Sequence, residues 1–243
     1  MKKILKTLII LLLVMVVSPV MAKEYAMSDT DIKVNLDDSK WYVFTRDNIK
    51  NNKQLKEFGI SEEYMNSTFT KGNMYLDAIK FTSNTELIEL FVMKKQVEKV
   101  KNLSKYSDSD VKDVAKEIAK KENTSDYKIF KTDYKYVYTK YTDSGKQIMD
   151  YYTVVNGYGY TIKLQSDKAF TSDQQKEMEN IVKGISFNVD SSLSEPSKGM
   201  NPIIRDAIIG AVVGGLGGAL ATLINKNKKN KNNNNNNNNQ SVQ

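Results

Sequence analysis

The dipeptide Asn156–Gly157 restricts the fold of this chain more than any other short stretch of the sequence. It lies between two segments rich in valine, threonine and tyrosine, residues 147–155 and 158–165. Asparagine and glycine adopt positive φ at little cost, as both central residues of a type I′ turn must, and such a turn joins two antiparallel strands. The sequence therefore predicts a tight hairpin, and with it an antiparallel sheet.

The length of this turn also predicts which residues face one another. Three cross-strand pairs follow from a two-residue loop: Val155 with Tyr158, Thr153 with Tyr160, and Tyr151 with Ile162. Because side chains alternate between the two faces of a strand, these pairs share one apolar and aromatic face. Four residues of the second strand are predicted to point away from that face: Gly159, Thr161, Lys163 and Gln165.

The chain up to residue 188 alternates between strand and helix patterns. Six further strands are predicted over residues 31–36, 41–45, 74–82, 86–93, 127–132 and 134–142. The turn at 37–40 is expected to join the first two as a hairpin. Helices are predicted at 51–58 and 61–68, after a cap at Ser107, and after a cap at Thr171 or Ser172. This order is typical of the α+β class, an antiparallel sheet flanked by helices.

The closing stretch YYTVVNGYGYTIKLQSDKAFTSDQQKEMENIVKGISF resembles the last hairpin, helix and short strand of the PsbP-like fold, which is named for the extrinsic photosystem II protein. The opening hairpin with Trp41 also fits, and the resemblance covers residues 31–188. It implies an α/β/α sandwich and, usually, a non-enzymatic binding or assembly role. No ligand residues of the family are carried over, because the sequence contains no matching functional motif.

The N-terminal residues 1–22 have the pattern of a secretory signal peptide. Lys2 and Lys3 precede an apolar run of about ten residues, and small residues stand before the expected cleavage site after Ala22. An uncleaved signal anchor is the alternative, which is disfavoured because the run is short for a membrane span. In both cases the α+β domain at residues 23–188 is expected to be extracytoplasmic.

A second apolar segment, residues 203–224, is predicted to be a transmembrane helix that follows a linker at 189–202. Residues 207–224 carry no charge, and at ~1.5 Å per residue their helix matches a bilayer core. The lysines of the basic, Asn-rich, low-complexity tail at 225–243 then place this disordered tail in the cytoplasm by the positive-inside rule. The expected protein crosses the cell membrane once. Such an anchor departs from the soluble photosynthetic proteins and argues against a photosynthetic role.

Glycines give the transmembrane segment a candidate packing face. Gly210, Gly214 and Gly218 recur every four residues, and their lack of side chains lets another helix approach closely in lipid. This glycine zipper favours packing against another helix, including that of a second copy of the chain, and a plain anchor is the alternative. A helix in water is disfavoured, because each glycine costs about 1 kcal/mol there relative to alanine.

Charge and composition exclude several functions. The net charge of +7 arises at the two ends, because removing seven lysines at positions 2–6 and 226–231 leaves 29 basic residues against 29 acidic ones. No nucleic-acid partner is therefore expected. The chain has no cysteine and no histidine. Disulfides, Cys/His zinc sites and histidine-dependent triads are thus excluded, and a bacterial extracytoplasmic protein is favoured.

Two clusters have the composition of binding sites. Three aspartates open one helix: Asp108, Asp110 and Asp113. A calcium loop of the EF-hand type needs a glycine and a glutamate that are missing here, so a capped helix start is favoured. Three tyrosines share one strand face: Tyr134, Tyr136 and Tyr138. They fit a sugar-stacking platform or, as we favour, the packing of the sheet. No catalytic residue, metal site or cofactor is predicted.

The leading hypothesis is a membrane-anchored extracytoplasmic domain that binds a protein, an envelope polymer or a small ligand without turning it over. A second hypothesis makes a homo-oligomer of the glycine-zipper helix the main function, with the outer domain as its regulator. A third, a carboxylate-based cell-envelope hydrolase, needs only two acidic residues, but no spacing in the sequence selects a pair. We therefore expect a protein that is not an enzyme.

Overall fold

The computed structural model describes residues 22–83, 86–97, 100–192 and 199–212. Ten strands are found in this part of the chain: β1 (Lys23–Ala26), β2 (Ile32–Leu36), β3 (Tyr42–Thr45), β4 (Met74–Phe81), β5 (Leu87–Gln96), β6 (Asp126–Lys131), β7 (Lys135–Asp143), β8 (Lys146–Val155), β9 (Tyr158–Ser166) and β10 (Ser186–Phe187). Five α-helices accompany them: α1 (Lys53–Glu57), α2 (Glu62–Lys71), α3 (Asp108–Lys121), α4 (Ser172–Lys183) and α5 (Pro202–Ala211).

The strands form two sheets. The main sheet has seven strands in the order β3-β4-β5-β9-β8-β7-β6, and every neighbouring pair is antiparallel. A small sheet has the order β1-β2-β10 and is also antiparallel. The α+β class, with an antiparallel sheet flanked by helices, is thus confirmed.

The hairpin at Asn156–Gly157 forms as predicted. Asn156 has a φ of 52° and Gly157 a φ of 79°, the left-handed values that a type I′ turn requires. All three predicted cross-strand pairs are found in the β8–β9 ladder. The turn therefore determines the register at the centre of the main sheet.

The predicted hairpin between residues 31–36 and 41–45 is wrong. β2 pairs with β1 and β10, whereas β3 pairs with β4 at the edge of the main sheet. The backbone amides of Lys40 and Trp41 both bond the carbonyl of Asp37, and this turn carries the chain from one sheet to the other. The alternating apolar side chains of β2 are buried against a face of the main sheet, so β2 does not extend that sheet at its edge.

One face of the main sheet, called here the aromatic face, is covered by the small sheet and α4. Its buried residues form one apolar cluster with those two elements: Leu90, Tyr151, Tyr160 and Ile162 of the sheet, Ile32 and Val34 of β2, and Met178 and Val182 of α4. Burial of each large apolar side chain contributes about 1.5–3 kcal/mol. This layer is therefore a principal source of stability.

The opposite face, called here the polar face, is covered by two separate groups of helices. Helices α1 and α2 pack on the β3–β5 side, where Leu55 and Phe69 cluster with Ile79 and Phe91. Helices α3 and α5 pack on the β7–β8 side through a second cluster: Val114, Ile118, Ile204 and Ile208 with Val137 and Tyr152. Both faces of the sheet are therefore buried, and the strip between the two helix groups is where the polar residues lie.

Candidate functional site

Helix α5 is held against the domain by its apolar residues. Ile204 and Ile209 are each 6% exposed and Ile208 is fully buried, in one cluster with Val111 and Val114 of α3. Asn201 caps the helix, because its side-chain oxygen accepts a hydrogen bond from the backbone amide of Ile204 at 3.0 Å. The first part of the predicted membrane segment is thus a capped helix packed on protein.

The outer side of α5 faces away from this cluster. Ile203 is 60% exposed, and Asp206 and Gly210 are also exposed. One polar contact ties this side to the sheet, since the Lys95 Nζ donates to the Gly210 carbonyl at 3.1 Å. The helix ends at Ala211, and Val212 has a ψ of 94°, outside the helical range.

The predicted glycine zipper is described only at its first position. No atom lies within 4 Å of the place where a Cβ of Gly210 would stand. Gly214 and Gly218 lie outside the described residues, as do residues 1–21 of the predicted signal peptide and the predicted tail at 225–243. None of the helices in the described ranges is long and apolar enough to cross a membrane. The membrane span and the zipper stay predictions.

Five polar residues form a continuous strip on the polar face, called here the polar band: Asp77, Glu89, Asp150, Lys163 and Gln165. The ladder places Lys163 beside Asp150, and Gln165 beside Glu89. Their exposed fractions range from 0% at Asp77 and Glu89 to 4% at Asp150. The prediction that Lys163 and Gln165 point away from the aromatic face is confirmed, although the face that they occupy is buried.

One half of the polar band is an ion pair with a tyrosine. The Lys163 Nζ lies 3.6 Å from the Asp150 Oδ2, and the Tyr141 hydroxyl donates to the same oxygen at 2.9 Å. Lys163 also lies 3.4 Å from the Tyr141 hydroxyl oxygen. Burial raises the pKa of Asp150 above its ordinary value, although the attraction of Lys163 opposes this shift. The charge of Lys163 and the hydrogen bond from Tyr141 therefore offset part of the cost of burying the Asp150 carboxylate.

The other half of the polar band is a pair of acidic side chains. Asp77 lies on β4 and Glu89 on the neighbouring β5, and Gln165 donates to the Glu89 Oε2 at 2.7 Å. Burial raises the pKa of Asp77 well above its ordinary value, and the charge of Glu89 and a hydrogen bond to it raise this pKa further. Two buried carboxyl groups on neighbouring strands are more stable when one of them is protonated than when both are charged. In this conformation both are closed to a substrate.

The sequence reasoning missed Asp77 and Glu89. A signal for them exists, because each is the only acidic residue in a strand of mostly apolar residues, as in MYLDAIKF for Asp77 and LIELFVM for Glu89. Isolated charges in strands buried on both faces are costly and rare. The sequence alone does not reveal this signal, because it does not show that helices cover the second face of the sheet.

The two clusters chosen from the sequence have structural roles. The backbone amide of Asp110 donates to the Ser107 Oγ at 3.1 Å, so the predicted helix cap is confirmed. Asp108 forms ion pairs with Lys131 and, at 3.0 Å, with Lys135. Among the described residues, no group of three acidic side chains is arranged to hold a metal ion.

The tyrosine cluster belongs to the sheet. Tyr136 is fully buried and Tyr138 is 6% exposed, while the half-buried Tyr134 packs edge-on against Phe187 with ring centroids 4.8 Å apart. A sugar-stacking platform needs exposed ring faces. The favoured prediction, packing within the sheet, is therefore confirmed.

An open groove lies between α4 and the segment that joins β2 to β3. It has a volume of about 480 Å³, and its lining includes three basic and three acidic side chains: Lys40, Lys80, Lys176, Asp37, Asp173 and Glu177. Lys80 and Glu177 form an ion pair at 2.6 Å across the groove. A volume of this size suits a small ligand or a peptide segment.

Comparison with known proteins gives similarity only to solved structures. No protein-family model matches the chain, and no curated protein matches it. A crystal structure from Bacteroides thetaiotaomicron VPI-5482 is 9% identical with a TM-score of 0.40, and the match covers 72% of this chain and 52% of the other. The chain thus spans about half the length of that protein.

A second similar structure is the solution structure of the cyanobacterial PsbP, CyanoP, from Synechocystis sp. PCC 6803. It is 10% identical with a TM-score of 0.34, and the match covers 71% of this chain and 95% of the other. A PsbP is thus among the solved structures that this chain resembles, as its closing hairpin and helix indicated. At these identities the likeness concerns the fold alone.

Proposed function

We propose that this protein is a membrane-anchored, extracytoplasmic binding or assembly domain without catalytic activity, and that the groove beside α4 contacts its partner. The groove is the observation that supports this function. It is open to solvent and presents charges of both signs, whereas the polar band, with its perturbed carboxyl groups, is buried on the other face of the sheet.

The lining of the groove favours a polypeptide as the partner. The lining combines lysines and carboxylates with two neutral polar residues, Asn35 and Asn180. Extended peptides present backbone polar groups and charges of both signs, which such a surface complements. Trp41 also lines the groove, but it is only 4% exposed and therefore offers no face for stacking a sugar.

Site-specific photo-cross-linking in intact cells tests this function. A photoreactive residue at the exposed Lys176 in the groove is expected to capture one recurrent protein. The same residue at the exposed Lys112 on α3, in the layer on the opposite face of the sheet, serves as the control and is expected to capture none. Asp173→Lys in the groove should weaken the capture. Equal capture from both positions, or none from Lys176, would contradict the proposal.

A further inference from the structure

Helix α5 lies in the predicted membrane segment and in the folded domain at once. Residues 207–211 are counted in the apolar stretch 207–224, yet Ile208, Ile209 and Ala211 are buried against the domain. These residues are therefore assigned to two competing roles, spanning the membrane and packing against the domain.

The length of the apolar stretch makes the two uses mutually exclusive. If α5 stays packed on the domain, the chain after Ala211 offers only residues 212–224 before the lysines. At ~1.5 Å per residue these reach about 20 Å, which is short of a hydrocarbon core of about 30 Å. A comfortable span therefore needs the residues of α5.

The end of α5 also differs from what a membrane span requires. Val212 has a non-helical ψ of 94°, so helix α5 ends within the apolar stretch. Interrupted backbone is not tolerated where lipid surrounds it, because its polar groups find no partners there. Insertion would have to convert Val212 to a helical conformation and join α5 to the residues that follow.

The contacts of α5 with the domain are suited to release. Its polar attachment in the described structure is the bond between Lys95 and the Gly210 carbonyl, on the exposed side of the helix. The Arg205 Nε is buried, and no described group accepts a hydrogen bond from it. A buried donor without a partner disfavours the packed state, and exposure of Arg205 at the membrane edge would relieve this cost.

We propose that α5 is a detachable strap, packed on α3 in the protein away from lipid and released when the apolar segment that it begins enters a bilayer. This inference rests on the proposed membrane anchoring. The bilayer takes the place of the α3 surface as the apolar environment of Ile204, Ile208 and Ile209. Membrane insertion is thereby coupled to exposure of a surface on the domain.

A reversible cross-link tests the strap. The chain has no cysteine, so the double variant Lys95→Cys and Gly210→Cys carries the only two thiols. Lys95 is exposed, and a Cβ at Gly210 meets no atom within 4 Å, so both thiols are tolerated. A bifunctional maleimide with a reducible bridge is expected to join them. The protein is then mixed with vesicles of phosphatidylcholine and phosphatidylglycerol, and insertion is measured by flotation after carbonate washing.

The cross-linked protein is expected to stay out of the vesicles, and reduction of the bridge is expected to restore insertion to the level of the untreated variant. The single variant Gly210→Cys, treated in the same way, controls for the reagent. If the cross-linked and reduced proteins insert equally, or if the thiols fail to react with one reagent molecule, the strap is refuted. If the untreated variant and the parent protein both fail to insert, the proposed anchoring is refuted and the strap with it.

Discussion

Gly159 is the residue at which a single methyl group tests the packing of the polar face. It pairs with Val154 across the β8–β9 ladder and lies diagonal to Tyr152. A Cβ at Gly159 would overlap the hydroxyl oxygen of Tyr152 and stand 2.9 Å from its Cε2 and 3.0 Å from its Cζ. Tyr152 is 2% exposed and its ring lies among packed side chains, so it has little freedom to move away.

Gly159→Ala is therefore expected to lower the free energy of unfolding. Overpacking of a core costs about 1–3 kcal/mol, and the smaller conformational freedom of alanine in the unfolded chain returns about 0.4–1 kcal/mol. A net loss of about 1–2 kcal/mol follows from these two effects. Urea unfolding followed by circular dichroism measures it. Gly210→Ala is the matched control, because its methyl meets no atom within 4 Å and the helix gains propensity.

The variant Tyr152→Phe separates the clash from other effects. The Tyr152 hydroxyl is buried, and no described group bonds to it, so its removal alone should cost little. In the double variant the methyl of Ala at Gly159 no longer meets an oxygen, and we expect a coupling of at least about 0.5 kcal/mol. Additive losses, or a Gly159→Ala variant as stable as the parent, would refute the packing argument.

Three further predictions concern the polar band and the glycine face. Lys163→Met leaves the buried Asp150 without its cation and should cost about 3–5 kcal/mol in urea unfolding, most of it recovered when Asp150→Asn is added; a near-neutral single variant would contradict the ion pair. Because burial raises the native pKa of Asp77 above its unfolded value of about 3.9, the native state binds more protons and stability should fall as the pH rises above that value. Unfolding curves at several pH values should show a smaller fall for Asp77→Asn, and equal slopes would refute the assignment. Gly214→Leu, outside the described residues, should still insert but lose self-association in an energy-transfer assay on the isolated segment, whereas Leu216→Ile should change little; unchanged association would leave a plain anchor.

Local chemistry explains which parts of the fold were predictable. The Asn156–Gly157 turn determines its own φ angles and the register of the strands beside it, so the centre of the sheet follows from the sequence. The same is true of the caps at Ser107 and Thr171, where a side chain bonds an amide three residues away. Each of these features depends on few residues that are close in the chain.

Partner choice between distant strands was not predictable in the same way. β2 and β3 are joined by a turn, and their patterns fit a hairpin as well as they fit two sheets. The decision depends on β1, β10 and β4, which lie far away in sequence or outside the predicted strands. Alternation along a strand likewise shows that Lys163 and Gln165 share a face, but not that helices bury that face.

Of the features described for the candidate site, the segment of helix α5 was predictable only as an apolar stretch. An apolar stretch is expected to be removed from water, and both a bilayer and the α3 surface offer an apolar environment. The sequence therefore indicates where the segment lies but not which of the two environments holds Ile208. The groove was missed because its lining comes from four separate parts of the chain, near residues 22, 35–41, 80 and 173–181.

The position of the domain relative to the membrane is the central claim, and cysteine labelling in intact cells tests it most directly. The cysteine-free chain allows one thiol at a time: Lys176→Cys in the exposed groove of the domain, and Ser241→Cys in the tail. With a membrane-impermeant maleimide, the thiol at position 176 is expected to react in intact cells, and the thiol at position 241 only after lysis. The reverse pattern, or reaction of both thiols in intact cells, would contradict an outer domain held by one membrane span.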